Sequence, residues 1–133
     1  MKSLLPLILR LLFPGPGKGF EFKPFSGEVF KPDGDAVDLY IHLPFCRRLC
    51  RFCPYVKVPY DAGLVAAYGA AVLTELEACR EKWGPVKINS VYFGGGSPSV
   101  TPEIIEESLS RIADSFGSPS EIGVEIHPLD VDY

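Results

Sequence analysis

Between residues 37 and 128 the apolar residues change their period repeatedly, and this restricts the fold more than any other feature. VDLYIHLP (37–44) alternates as a strand does, with Val37, Leu39, Ile41 and Leu43 on one side and Asp38, Tyr40 and His42 on the other. From Asp61 to Trp83 the period lengthens to that of a helix, with Val65, Tyr68, Val72, Leu76, Cys79 and Trp83 as its stripe and Gly84-Pro85 as its stop. KINSVYF (87–93) reads as a second strand running into GGGSPS. A second helix opens at Thr101 as N-cap with Pro102 at its first position, carries the stripe Ile105, Leu109, Ile112 and Phe116, and ends at Gly117. EIGVEIHP (121–128) alternates again, with Ile122, Val124 and Ile126 opposite Glu121, Glu125 and His127. Strand, helix, strand, helix, strand is the pattern of a parallel α/β fold with crossover helices. If the apolar strand faces pack under the helices, Tyr40, His42, Glu125 and His127 line the opposite, concave side. Parallel α/β folds bind ligands at the C-terminal ends of their strands.

Residues 1–36 read as an irregular lead-in, rich in Pro, Gly and Phe after residue 13, with a short apolar helix over Leu4–Phe13. That apolar run follows Lys2 as a secretory signal would, but Pro6 and Arg10 interrupt it and no small-residue cleavage site follows. It is also far shorter than the ~20 residues a membrane helix needs, so no transmembrane segment is expected there. A net charge of −4, with acidic residues dispersed along the chain, offers no broad attraction to nucleic acid.

The chemistry concentrates in HLPFCRRLCRFCPY (42–55), where Cys46, Cys50 and Cys53 follow the spacing C-x3-C-x2-C. These three lie too close together to pair well as disulfides, and the remaining cysteine, Cys79, sits on the apolar stripe of a helix as a buried thiol would. Reduced thiolates holding a metal fit better, and with them a cytoplasmic setting. Thiolates serve both structural zinc and iron–sulfur clusters. Zinc asks for a fourth ligand, and His42 is turned sideways by the strand alternation. Three cysteines on a [4Fe–4S] cluster leave one iron open, where a substrate or cofactor can bind. The glycine run by itself is an ordinary turn between strand and helix. It lacks the third glycine of the dinucleotide fingerprint, where Ser99 stands, and the Gly-Lys-Ser/Thr of a phosphate-binding loop.

C-x3-C-x2-C with Phe52 before the last cysteine resembles the hallmark of radical S-adenosylmethionine (SAM) enzymes. Tyr40-Ile-His-Leu-Pro-Phe-Cys46 and Phe52-Cys53 are similar to one branch of them, the oxygen-independent coproporphyrinogen III oxidases and related heme chaperones. Tyr92-Phe93-Gly94-Gly95-Gly96-Ser97-Pro98 and Val124-Glu125 resemble further motifs of that branch, in the same order, so that the likeness runs from about Asp38 to Pro128.

The resemblance implies the N-terminal half of a partial (β/α)6 TIM-like barrel, with residues 37–133 forming a truncated radical SAM core. It further implies that Cys46, Cys50 and Cys53 hold the [4Fe–4S] cluster and that SAM chelates the open iron. The backbone of Gly95 and Gly96, with Ser97 beside them, would approach the methionine part of SAM, where a side chain would block it. Glu125 would bind the ribose hydroxyls, Tyr40 would sit against SAM, and Phe52 would pack by the adenine or a second SAM. Reductive cleavage of SAM would yield a 5′-deoxyadenosyl radical that abstracts hydrogen from an organic, tetrapyrrole-like substrate. An external electron donor such as a flavodoxin or ferredoxin would be the partner.

Plainer readings stand beside these. Glu125 reads equally as a solvent-facing strand residue, and His42 and His127 as orienting or packing residues. Arg47, Arg48 and Arg51 are either solvated loop charges or raise the cluster potential. A heme chaperone without oxidase turnover and a structural zinc module are the alternative functions. The pattern of the oxidases departs at Tyr55, where they carry a further cysteine. The family is also longer than this chain, which is expected to leave the third strand with an open edge and to be unable to turn over substrate alone.

Overall fold

The computed structural model describes residues 31–130. The expected helix over Leu4–Phe13 and nearly all of the lead-in lie outside the described residues, as do residues 131–133. Strand β1 (Ala36–Leu43) runs directly into a short strand β2 (Phe45–Cys46), and Val58–Pro59 forms β3. Helix α1 (Ala62–Trp83) leads to β4 (Lys87–Gly95), a 3-10 turn (Pro98–Val100) and helix α2 (Pro102–Phe116). Strand β5 (Glu121–Val124) and a second 3-10 turn (Pro128–Asp130) follow. The main sheet has the order β1-β4-β5 with both pairings parallel, while β2 and β3 make a separate parallel pair. This is the α/β arrangement of parallel strands and crossover helices expected from the alternating periods.

Each boundary has a local cause. The Asp61 carboxylate accepts the Leu64 N–H at 2.8 Å and so caps α1, while Gly84 at φ 73° ends it. Thr101 occupies the N-cap of α2, but its buried hydroxyl donates to Pro98 O at 3.2 Å and does not cap the helix. Ile88 and Val91 are both buried on β4 although three positions apart. A register shift between Val37 and Asp38 passes over Asn89 and restores the alternation.

One core joins the sheet to both helices: Ile41, Leu43, Ile88, Val91 and Phe93 meet Val65 and Leu76 of α1 and Ile104 and Ile112 of α2. By length and composition α1 could also cross a membrane, a criterion that core helices meet as well. Here Val65, Gly69 and Leu76 are buried, and a Cβ on Gly69 would lie 3.1 Å from Ile104, so α1 and α2 pack closely.

Two expectations need correction. The deepest face of α2 is Ile104, Ser108 and Ile112, with Ile105, Leu109 and Phe116 only partly buried against it. The stripe is thus rotated, because α2 must face α1 and the sheet at once. The third strand ends at Val124, short of Pro128, and Ile122 and Ile126 are exposed by 50% and 57%. Strand β5 is the edge of the sheet, and the burial that its alternation anticipates has no partner among the described residues.

The rotated stripe gives an ordering that urea unfolding can check. Ile104→Ala should cost about 2–5 kcal/mol, and Ile105→Ala distinctly less. Ser108, whose buried hydroxyl meets no partner among the described residues, should tolerate alanine with no loss of stability.

Candidate functional site

The C-terminal ends of β1 and β4 lie side by side, and both chemistry-bearing loops leave from there. Phe45 is buried and meets the Tyr68 ring edge-on at 5.4 Å, while the Tyr68 hydroxyl donates to His42 O at 2.7 Å. These contacts pin the root of the cysteine loop to α1. Its far end is tied back by Val58 N–H to Pro44 O at 2.8 Å and Tyr60 N–H to Cys46 O at 2.9 Å. Inside the loop, Lys57 Nζ donates to Cys53 O at 2.7 Å.

The glycine loop docks on that same root. Gly96 N–H donates to Leu43 O and Ser97 N–H to Phe45 O, each at 2.8 Å. Gly95 has φ +125°, and a Cβ there would lie 2.7 Å from His42 Cε1 and 2.9 Å from Leu43 O. At Gly96 a Cβ would lie 2.6 Å from Phe45 O. A side chain at either position collides first with the protein's own backbone and His42. The expectation that a side chain there would block a ligand is therefore incomplete, since the fold alone already requires both glycines.

Between the two loops lies a cavity of about 460 Å³ that Cys46, Cys50, Cys53, Lys57, Gly96, Ser97, His127 and Asp130 help to line. This is within the usual range of small-ligand sites, about 300–1,000 Å³. Cys50 is exposed and the other two cysteines are half-buried. Burial first, then repulsion from Cys53 and Cys50, pushes the Cys46 thiol above its usual range. The three cysteines share one cavity, although no three ligating side chains among the described residues gather closely enough for a single metal ion. A donor set of thiols around one cavity, with glycine backbone on its far wall, fits a multi-iron cluster with one cysteine per iron. It fits a tetrahedral zinc poorly, because zinc needs four ligands at about 2.0–2.3 Å from one point.

The second group of expected residues lies on the open face of the sheet. Tyr40 stacks on its register partner Tyr92 at 6.1 Å and 15°, and its hydroxyl is 3.2 Å from His42 Nδ1. Glu125 closes the group: one carboxylate oxygen accepts Gly95 N–H at 3.1 Å and the other accepts the Tyr92 hydroxyl at 3.3 Å. Burial and then the Glu125 charge raise the pKa of Tyr40, and the same two causes raise that of Tyr92. His42 Nε2 is buried with no partner among the described residues. Phe52, by contrast, is 89% exposed and does not line the cysteine cavity. His127 parts from Tyr40 and Glu125, because the chain turns after β5 and brings it to the cysteine cavity. Cys79 is half-buried on α1 and lines a different hollow along the β1 edge, with Leu39, Val72 and Trp83.

Two residues were not anticipated as parts of the site. Tyr92 shares the open-face parity of Tyr40, so its position was readable from alternation. Asp130 was not: it follows the third strand in a stretch without period, yet its carboxylate accepts from Ser97 Oγ at 2.6 Å and pairs with Arg47 Nε at 3.3 Å. The hydroxyl of Ser97 is thereby engaged within the protein.

The site is thus a parallel sheet with a three-cysteine loop after its first strand and a glycine loop after its second in the main sheet. No family model matches the chain. The chain is 36% identical over 123 residues to an oxygen-independent coproporphyrinogen III oxidase of Paracoccus denitrificans, covering 84% of this chain and 27% of the relative. It is 30% identical to a heme chaperone of Lactococcus lactis, covering 69% of this chain and 24% of the relative. In fold it matches the Escherichia coli coproporphyrinogen III oxidase, described as a radical SAM enzyme, with a TM-score of 0.65, 24% identity, and coverage of 71% of this chain and 23% of that one. The chain is a homologue of the N-terminal part of the coproporphyrinogen III oxidase and heme chaperone branch of radical SAM proteins, and spans about a quarter of the length of these relatives.

The coupling of Glu125 to the two tyrosines can be measured by NMR titration of the ring carbons. Because a carboxylate beside a phenol disfavours the phenolate, Glu125→Gln should move the Tyr92 midpoint, and less so that of Tyr40, to lower pH. An unchanged or higher midpoint would contradict the placement of Glu125.

Proposed function

We propose that this chain provides the cofactor-binding part of a radical SAM site, with Cys46, Cys50 and Cys53 as the protein ligands of a [4Fe–4S] cluster. The observation that carries this reading is the single cavity shared by the three thiols and by Gly96 and Ser97 of the glycine loop. When bound, the cluster supplies the electron that reductively cleaves SAM and so begins radical chemistry on a substrate.

The remaining roles belong to the chain's own groups. The three thiols would load the cluster as thiolates, so uptake releases protons. Lys57, tied to Cys53 O, places a cation beside the loop. Backbone at Gly95 and Gly96 forms a wall with no side chain, along which the methionine part of SAM can lie. Glu125 has lone pairs left after accepting Gly95 N–H and the Tyr92 hydroxyl, and these suit ribose hydroxyls. Tyr40 on the same face would flank SAM, and exposed Phe52 is free to stack on the adenine or on a second SAM. Residues 37–133 form the core domain in this reading.

The substrate class inferred from the relatives is a coproporphyrinogen-like tetrapyrrole, with a flavodoxin or ferredoxin in the cytoplasm as the external donor of the electron for SAM cleavage. Tyr40 and Tyr92 are exposed by 59% and 44%, so shielding a radical from water on that face needs structure beyond the described residues. A second reading, a heme-binding chaperone built on the same cluster site, is supported by the similarity to the Lactococcus lactis chaperone, while Tyr55 departs from the further cysteine of the oxidases without matching the chaperones.

Anaerobic reconstitution with iron and sulfide tests the cluster directly. Replacing Cys46, Cys50 or Cys53 by alanine should abolish retained iron and sulfide, whereas Cys79→Ala should retain both. Retention by any of the three, or loss from the Cys79 variant, would overturn the ligand assignment. Heme titration of the same preparation separates the two readings: tight, saturable heme binding favours the chaperone, and its absence the oxidase-like reading.

A further inference from the structure

Among the described residues Asp130 is the only acidic side chain lining the cysteine cavity, and two separate segments reach its carboxylate. One carboxylate oxygen takes the Ser97 hydroxyl at 2.6 Å, a short charge-assisted bond, with Ser99 Oγ 3.2 Å away. Ser99 Oγ is itself 3.0 Å from Ser97 Oγ and accepts His127 N–H at 3.3 Å, which holds the turn after β5 in place. The other carboxylate oxygen pairs with Arg47 Nε at 3.3 Å, immediately beside Cys46.

The burial of the two partners decides what this pair can do. The Arg47 side chain is 71% exposed, and between two such exposed groups an ion pair contributes little. The Asp130 side chain is 6% exposed, so its charge depends on the groups that reach it. Lys57 also lines the cavity but donates to Cys53 O. Among the described residues Arg47 is the cation that pairs with Asp130, although Arg48 also lines the cavity, and it arrives from the cysteine loop while Ser97 and Ser99 arrive from the glycine loop.

We propose that Asp130 is a positioning residue that joins the cysteine loop to the glycine loop through Arg47 on one side and Ser97 on the other, setting the separation of the two. That the loops are joined stands on this geometry alone. That the separation sets where SAM meets the cluster rests on the function proposed above.

Hydrogen exchange on the cluster-free chain tests the first part. Arg47→Gln and Asp130→Asn should each speed amide exchange in residues 47–57 by roughly three- to tenfold, leaving β1 and α1 unchanged. The double variant should be no faster than either single one, because both remove the same pair. Asp130→Ala, which also removes the acceptor for Ser97, should extend the effect to residues 96–100. Additive effects of the two single variants, or faster exchange confined to residues 128–130, would overturn the joining.

The second part is read on anaerobically reconstituted protein. Arg47→Gln and Asp130→Asn should keep the parent's iron content but bind SAM several-fold more weakly, with a diminished SAM-induced change in the electron paramagnetic resonance spectrum of the reduced cluster. Parental SAM affinity and spectrum in a variant whose loops exchange faster would overturn the positioning role. If the parent chain takes up no cluster, the function proposed above falls and the positioning role falls with it. The joining of the loops is then judged by exchange alone.

Discussion

Everything at the candidate site depends on the parallel pairing of β1 with β4 being carried past the last paired residues. Gly96 N–H to Leu43 O and Ser97 N–H to Phe45 O extend the ladder into what would otherwise be two independent loops. Parallel pairing puts both strand C-termini at the same end, and these two bonds hold the glycine loop against the root of the cysteine loop. The cavity between the loops is a consequence of that docking, as is the choice of residues that line it.

The docking explains the glycines in terms that need no ligand. Backbone can approach within hydrogen-bonding distance of Pro44, Phe45 and Leu43 only if Gly95 and Gly96 carry no Cβ, and at Gly95 the positive φ adds a second demand. A site of this kind has little tolerance, because the same close approach serves the fold and any molecule laid along the loop. Glu125 reinforces the arrangement from the third strand by accepting Gly95 N–H, which couples the open face of the sheet to the loop end.

The open face and the β5 edge are where the described residues remain uncovered. Tyr40, Tyr92, Ile122 and Ile126 are all substantially exposed, whereas the helix-covered side of the same sheet holds Leu43 and Phe93 at 0%. Such one-sided burial leaves one face of the sheet and its β5 edge uncovered among the described residues. It also accounts for the short third strand, since without a neighbour beyond it the alternation in EIGVEIHP buys no burial past Val124.

Periodicity alone determined the order of the three main strands and two helices, both helix ends to within a residue, and the clustering of Tyr40, His42 and Glu125 on one face, because the spacing of apolar residues dictates which side of each element can be buried. The short pair β2 and β3 has no such signal. The spacing of Cys46, Cys50 and Cys53 likewise announced that the three would share one place, since chain proximity suffices to bring such residues to one cavity. Tertiary structure decided the rest. The face of α2 was rotated to Ile104, Ser108 and Ile112 because two surfaces, α1 and the sheet, compete for it. The slip at Asn89 arose from pairing with β1, which no local pattern in KINSVYF announces. Asp130 came to the cysteine loop only because a turn after β5 folds back across the strand ends, bringing together residues 83 positions apart through contacts that leave no period in the sequence.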